Sequence, residues 1–161
     1  MNVVERLTRL IDEENLWDGT LTVKRSGYLC AEADTESRLF LVLEGCLRIY
    51  MVDETQEHSI RFAYAGDFIT ALDSFLTGRP TTLYIQAVRQ CKIKWLTKSR
   101  FQKLVKDKPA AASLWQTVLI SLVVQHMERE HDLLTSSPKN RYKRVLARSP
   151  WLFQEVPHKY I

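Results

Sequence analysis

From Leu21 to Leu96 the sequence breaks into short β-rich runs separated by turn residues, and this spacing limits more than any single motif what the chain can fold into. LTVKR precedes Ser26-Gly27, LFLVL precedes Glu44-Gly45, CLRIYMV precedes Asp53-Glu54, HSIRFAY precedes Ala65-Gly66-Asp67, TLYIQAV precedes Arg89-Gln90, and CKIKWL follows. Short strands at such regular intervals predict a sandwich, barrel or jelly roll. At Glu44-Gly45 a tight hairpin is expected, because glycine supplies positive φ without a Cβ clash. Gly66-Asp67 and Thr77-Gly78-Arg79-Pro80 read as further turns. Phe68 to Leu76, poor in β-branched residues, reads as a loop or single helical turn that interrupts the β stretch and lines something.

Helical periodicity brackets this region. Val3, Val4, Leu7, Leu10 and Ile11 recur at three and four, predicting a short amphipathic N-terminal helix. After Thr97, Phe101, Leu104 and Val105 predict another that ends or restarts at Pro109. From Ala110 to Leu134 there is no Gly or Pro, and Leu114, Trp115, Val118, Leu119, Leu122, Val123 and Met127 recur at helical spacing. Such a helix is about 37 Å long, more than a small barrel needs to cover its open face. Self-association as a parallel helix pair in a homodimer is the simplest outlet for its stripe, and a buried helix of a monomer is the alternative. Thr135-Ser136-Ser137-Pro138 has hinge composition, with Ser137 as N-cap and Pro138 in the first turn of a basic helix. The organisation expected is therefore a sensor domain over residues 1–109, a dimerisation helix over 110–136, and the start of a second domain over 137–161.

No apolar run is expected to reach the roughly 20 residues of a membrane span, and the N-terminus lacks the apolar core and cleavage site of a signal peptide. The 3 cysteines, Cys30, Cys46 and Cys91, are isolated and odd in number. That fits reduced thiols, and with them a cytoplasmic location. The net charge of +4 is unevenly spread. Residues 92–108 carry Lys92, Lys94, Lys98, Arg100, Lys103, Lys106 and Lys108 against Asp107. Residues 138–161 carry Lys139, Arg141, Lys143, Arg144, Arg148 and Lys159 against Glu155. Either stretch fits phosphate contact or a solvated face.

In combination these elements resemble the Crp/Fnr family of bacterial transcription regulators, relatives of the catabolite activator protein. Phe40-Leu41-Val42-Leu43-Glu44-Gly45 followed by Leu47-Arg48-Ile49-Tyr50 is similar to the family's first barrel hairpin, and Ala65-Gly66-Asp67-Phe68-Ile69 to the turn entering its ligand loop. Cys91-Lys92-Ile93, Phe101 and Pro109 resemble the exit of the barrel into the dimer helix. Pro138, Arg141, Tyr142, Leu146, Val156-Pro157 and Tyr160-Ile161 resemble the entry to its winged helix-turn-helix. The likeness implies a mainly β fold with helices: a double-stranded β-helix, or jelly roll, of the cyclic-nucleotide-binding type, flanked by an N-terminal helix and a long C-terminal dimerisation helix. It also implies that DNA is met only through a longer parent chain, at a basic surface formed by Lys139, Arg141, Lys143 and Arg144. The recognition helix would follow Ile161, so these residues alone are not expected to read sequence.

The resemblance further implies where a nucleotide would sit. Family members hold the ribose with a Glu in a Gly-Glu-Leu and the cyclic phosphate with an Arg-Ser or Arg-Thr pair. Here Thr70-Ala71-Leu72 and Thr81-Thr82 stand at those places, so the acid and the arginine that would offset phosphate desolvation are missing. The candidate pocket is Phe68, Thr70, Ala71, Leu72, Arg79, Thr81 and Thr82, with His126 and Met127 at the family's purine-contacting positions. Arg79 is either a phosphate ligand or solvated, and His126 either a sensor or a surface residue. The expectation is a cavity that does not bind cyclic AMP in the usual way, with an unknown small-molecule effector and no cofactor.

Other chemistries lack their residues. An iron-sulfur cluster requires four thiolates or near equivalents, and His58 with Cys46 is a poor haem pair. Cupin catalysis requires converging histidines, but the barrel region holds only His58, while His126 and His131, five apart, do not share a helix face. No enzyme is expected. An interaction or scaffold module with a vestigial pocket is the competing reading.

Overall fold

A computed structural model describes residues 1–150 and 152–157. The N-terminal helix α1 (Val3–Glu13) starts at Asn2, whose side chain accepts from the Glu5 amide while the Glu5 carboxylate accepts from the Asn2 amide. The strands β1 (Gly19–Val23), β2 (Tyr28–Cys30), β3 (Arg38–Glu44), β4 (Cys46–Asp53), β5 (Gln56–Tyr64) and β6 (Phe68–Ile69) follow. Helix α2 (Leu72–Thr77) leads to β7 (Tyr84–Ala87) and β8 (Cys91–Thr97). Beyond them lie α3 (Lys98–Asp107), α4 (Pro109–Leu134), α5 (Pro138–Arg148) and α6 (Leu152–Glu155).

The strands form two antiparallel four-stranded sheets, ordered β1-β8-β3-β6 and β2-β7-β4-β5. This is the expected jelly roll, with one correction. β3 and β4 belong to different sheets, so Glu44-Gly45 is a corner and not a hairpin. Gly45 has φ +101, and a Cβ there would lie 2.5 Å from Gln90 O and 2.8 Å from Cys91 Cα. The chain passes between sheets where only a glycine fits, a requirement that looks like a hairpin turn in sequence. The hairpin joins β4 to β5 instead, with Glu54 at φ 53. Two short strands escaped the periodicity reading, β2 and β6; of the loop or single helical turn expected at Phe68–Leu76, the helical turn is present as α2, preceded by β6.

Between the sheets lies an apolar core that includes Phe40, Val42, Leu47, Ile49, Ile69, Ile85 and Ile93. A second cluster joins the outer face of the first sheet to the helices through Leu7, Ile11, Leu39, Leu96, Phe101, Ala111 and Val118. Trp115 closes it, its ring centroid 4.9 Å from that of Phe101 in an edge arrangement. Here the dimer stripe read from the sequence divides. Val118 is buried, and Leu114, Trp115 and Leu122 pack against this intramolecular cluster, whereas Val123 and Met127 stay exposed. Ile120 and Val124, which the spacing did not single out, are exposed with them.

A further correction concerns length. At 26 residues and a mean hydropathy of 1.2 in its most apolar window, α4 is long and apolar enough, by length and composition, to cross a bilayer. Its Ser, Thr and Gln residues hid this in sequence, since they interrupt the apolar run without adding charge.

Ser137 caps α5, accepting from the Asn140 amide, with Pro138 in the first turn, as the spacing predicts. The expected opening of a further helix at Tyr160-Ile161, and Lys159, lie outside the described residues.

Candidate functional site

In the strand orders β5 and β6 are both terminal. The chain crosses from one sheet to the other between them, at Ala65-Gly66-Asp67, and the gap between these two edges is the mouth of the roll. Asp67 fixes the crossing: its Oδ2 accepts from the Tyr64 amide at 2.9 Å and its carbonyl from the Val42 amide at 3.0 Å.

The segment after β6 carries most of the expected pocket residues, and its polar groups are already engaged. Thr70 Oγ1 donates to Arg38 O at 2.9 Å. Ala71 is wholly buried in the roll core. Asp73, in the first turn of α2, accepts from Thr81 Oγ1 at 2.8 and 2.9 Å and from the Thr82 amide at 3.3 Å. The Thr81 backbone is tied to Asp34 O and to the Ala33 amide. Ser74 Oγ accepts from the Glu36 amide at 2.8 Å, and the buried Glu36 carboxylate accepts from the Arg38 amide and guanidinium. Thr81 and Thr82 are thus held on a carboxylate of the protein itself, while Thr70 is bonded to β3, Ala71 is packed in the core and Leu72 opens α2.

Other expected site residues lie elsewhere. Phe68 is buried in the cluster beneath the helices. Arg79 is exposed, and so are His126 and Met127 on α4. His58 is exposed near the far end of the β4–β5 hairpin and Cys46 is buried at its start, so they form no ligand pair. No three His, Cys, Asp or Glu side chains converge among the described residues. Burial, together with Glu36 and Asp34, pushes the Cys30 thiol up to about 12, and burial also raises Cys91, so both remain protonated thiols at neutral pH.

Sequence reasoning missed several charged residues around the mouth and the helix. Arg48 is fully buried, donating to Ser59 Oγ at 2.7 Å and Glu57 Oε2 at 2.6 Å and stacking over Tyr50 at 4.2 Å. Arg129 of α4 donates both terminal nitrogens to the carbonyls of Ser59 and Ile60 on the edge strand β5. Asp132, 3% exposed, accepts from Arg144 Nε at 2.8 Å and from Arg148 Nη1. Burial alone would raise its carboxyl, but these two arginines outweigh that and hold it below the usual carboxylate value. Of the basic surface expected near DNA, Lys139 and Lys143 are exposed, Arg144 is drawn into this latch with Glu128 as well, and Arg141 Nε is buried without a partner.

A family model, the cyclic nucleotide-binding domain, matches residues 20–108, which span the roll and α3. The chain belongs to the cyclic nucleotide-binding domain family. Among curated proteins this domain is 29% identical over 89 residues to mouse patatin-like phospholipase domain-containing protein 6, covering 54% of this chain and 6% of that protein. Patatin-like phospholipase domain-containing protein 7 of rat is 24% identical over 104 residues, 62% of this chain and 8% of that one. The chain spans less than a tenth of the length of these relatives.

Among solved structures it is similar to the c-di-GMP responsive global regulator CLP of Xanthomonas campestris, with a TM-score of 0.71 at 15% identity over 87% of this chain and 70% of that one. A mutant of CooA from Carboxydothermus hydrogenoformans gives 0.64 at 23%, covering 91% and 94%. The catabolite activator protein of Thermus thermophilus gives 0.62 at 17%, covering 79% and 59%. At these identities the likeness is one of fold.

Proposed function

We propose that this chain is the ligand-sensing and dimerising part of a cytoplasmic Crp/Fnr-type transcription regulator, with a cyclic-nucleotide pocket that no longer receives cyclic AMP in the usual way. The observation that carries this is the Asp73 carboxylate, which takes the Thr81 hydroxyl and the Thr82 amide, donors that a cyclic phosphate would require. A carboxylate in that place both consumes the donors and repels the phosphate. Residues 1–109 with the first half of α4 form the sensor, the exposed face of α4 pairs with a second copy, and residues from 137 onward begin the output domain.

The pairing face follows a heptad. Ser113, Thr117, Ile120, Val124, Met127, His131 and Leu134 are spaced alternately by four and three, the repeat of a two-stranded coiled coil. Ile120, Val124, Met127 and Leu134 are more than half exposed in the single chain. In a longer parent, Lys139 and Lys143 meet the DNA backbone.

The interaction-module reading draws on a different surface, the exposed Tyr28, Met51 and Val52 of the second sheet. Two measurements separate the readings. Calorimetric titration with cyclic AMP and cyclic GMP gives no heat at micromolar ligand, and sedimentation gives a dimer at tens of micromolar. Stoichiometric nucleotide binding overturns the pocket reading, and a monomer overturns the dimeric sensor.

A further inference from the structure

At the roll mouth stands a half-buried guanidinium, Arg61, with no protein partner for its donors among the described residues. On β5, Ala63 lies opposite Leu47 and Arg61 opposite Ile49, and Ala63, Leu47 and Ile49 all belong to the apolar core. Strand alternation therefore places Arg61 on the inner face. A bulge sits just before it, where Ser59 opposes Tyr50 and Ile60 is the extra residue. Ile60 also packs against the inner core. Arg61 thus points between the sheets from an edge strand, across the gap that β6 borders.

Three other shielded arginines are satisfied, Arg48 by Ser59 and Glu57, Arg38 by Glu36 and Arg129 by two carbonyls, whereas Arg141, whose Nε lacks a partner, lies on α5 away from the roll. Arg61 is only partly exposed and has no hydrogen bond or ion pair among the described residues. Asp67 acts on it only at longer range, and burial outweighs that carboxylate, leaving the guanidinium less readily protonated than usual though still a cation at neutral pH. A half-buried cation without a protein partner keeps only part of its hydration, so an oxyanion that reaches it recovers part of the desolvation cost.

We propose that Arg61 is the anchor of an oxyanion site in the roll mouth, which takes a small molecule carrying a carboxylate or phosphate on an otherwise apolar body. The planar fork of arginine suits either oxyanion in a bidentate manner, and Ile49 opposite it and Ile60 beside it, both packed with the apolar core, supply apolar neighbours. This deepens the sensor reading and rests on it: the positive charge missing from the loop after α2 is supplied from the opposite edge of the mouth.

The test follows thermal unfolding and calorimetry of the full chain with inorganic phosphate, octanoate and cyclic AMP at fixed ionic strength. The expected result is saturable stabilisation by phosphate or octanoate that weakens at least tenfold in Arg61→Met and Arg61→Gln, while the unliganded Arg61→Met protein is as stable as the wild type or more so. Octanoate acting alone identifies a carboxylate site with an apolar body, and phosphate acting alone identifies a phosphate site. Equal stabilisation of wild type and both variants, or none in the wild type, overturns the proposal. Sedimentation of the same samples keeps the two readings apart: a dimer with no anion response sinks only the oxyanion site, and a monomer with an Arg61-dependent response sinks only the dimeric sensor.

Discussion

Placing one carboxylate in the heptad stripe of α4 tests the dimer most directly. Val124 lies in the middle of the stripe and is 52% exposed in the single chain, between Ile120 at 55% and Met127 at 62%. Full burial of such a side chain contributes about 1.5–3 kcal/mol, so covering the exposed half yields ~1 kcal/mol each. Val124→Asp removes this on both helices, a loss of ~2 kcal/mol per dimer. It also brings two carboxylates together across the two-fold axis in a shielded seam, adding ~2 kcal/mol or more. The sum, ~4 kcal/mol, corresponds to about a thousandfold weaker association. Analytical ultracentrifugation from 1 to roughly 100 micromolar, a window set by that shift, is the assay. Gln125→Asp, exposed on the far side of the same helix, controls for helix propensity and net charge. The reasoning fails if Val124→Asp remains as dimeric as the wild type, or if Gln125→Asp dissociates equally.

Three other outcomes follow. Asp132→Asn removes the charge on which Arg144 and Arg148 converge and is expected to weaken the attachment of α5 by ~1.5–3 kcal/mol, read as faster amide exchange in α5 while the roll is unchanged. Because the Asp132 carboxyl is held below its ordinary 3.8, its stabilisation is complete above about pH 4 and is lost as pH falls through the lower folded value. The Asn variant therefore shows no such loss of α5 protection on acidification. Gly45→Ala forces a Cβ against Gln90 O and Cys91 at positive φ and is expected to cost ~3 kcal/mol or more in chemical denaturation. Asp73→Ala frees the Thr81 hydroxyl and the Thr82 amide. It costs ~1.5–3 kcal/mol of stability and yields measurable heat with millimolar cyclic AMP, where the wild type yields none.

The strands that were legible in sequence are those long enough to show alternation or continuous burial: β1, β3, β4, β5, β7 and β8. β2 and β6 span 3 and 2 residues and carry no period of their own; neighbours place them. The corner at Gly45 and a hairpin make the same local demand, so composition alone does not separate them. On α4 the spacing gave the correct helix but merged two faces. Leu114 and Val118 belong to the protein's own core, and Ile120 and Val124 to the open stripe, a division set by where α1, α3 and the first sheet pack. The mouth was least legible. The missing acid and arginine were visible at Ala71 and Thr81, but Asp73 as the group that fills the gap depends on how the loop after α2 returns. Arg61 had a usable signal, a charge at the inward parity set by Ala63. The bulge at Ile60 masks that parity when β5 is read from its N-terminal end.

Helix α4 gathers these pieces into one mechanical element. Its inner face is continuous: Ala111 and Val118 enter the cluster against the first sheet, Arg129 clamps the carbonyls beside the Arg61 bulge, and Asp132 holds α5. Its outer face is the heptad stripe. A ligand shifts such an arrangement only by its differential affinity for two states. The Arg129 clamp sets an upper scale, since two hydrogen bonds from a charged donor contribute a net ~3–6 kcal/mol at most. An oxyanion drawn to Arg61 pulls on the residue next to the clamped carbonyls, and any change in β5 there strengthens or weakens the hold on α4 directly. The consequence is a specific asymmetry. Arg129→Met should leave anion affinity within a few-fold of the wild type while uncoupling it from α5, so that the anion no longer changes amide exchange in residues 138–148. If α5 responds to the anion as strongly in Arg129→Met as in the wild type, the signal does not run through this clamp.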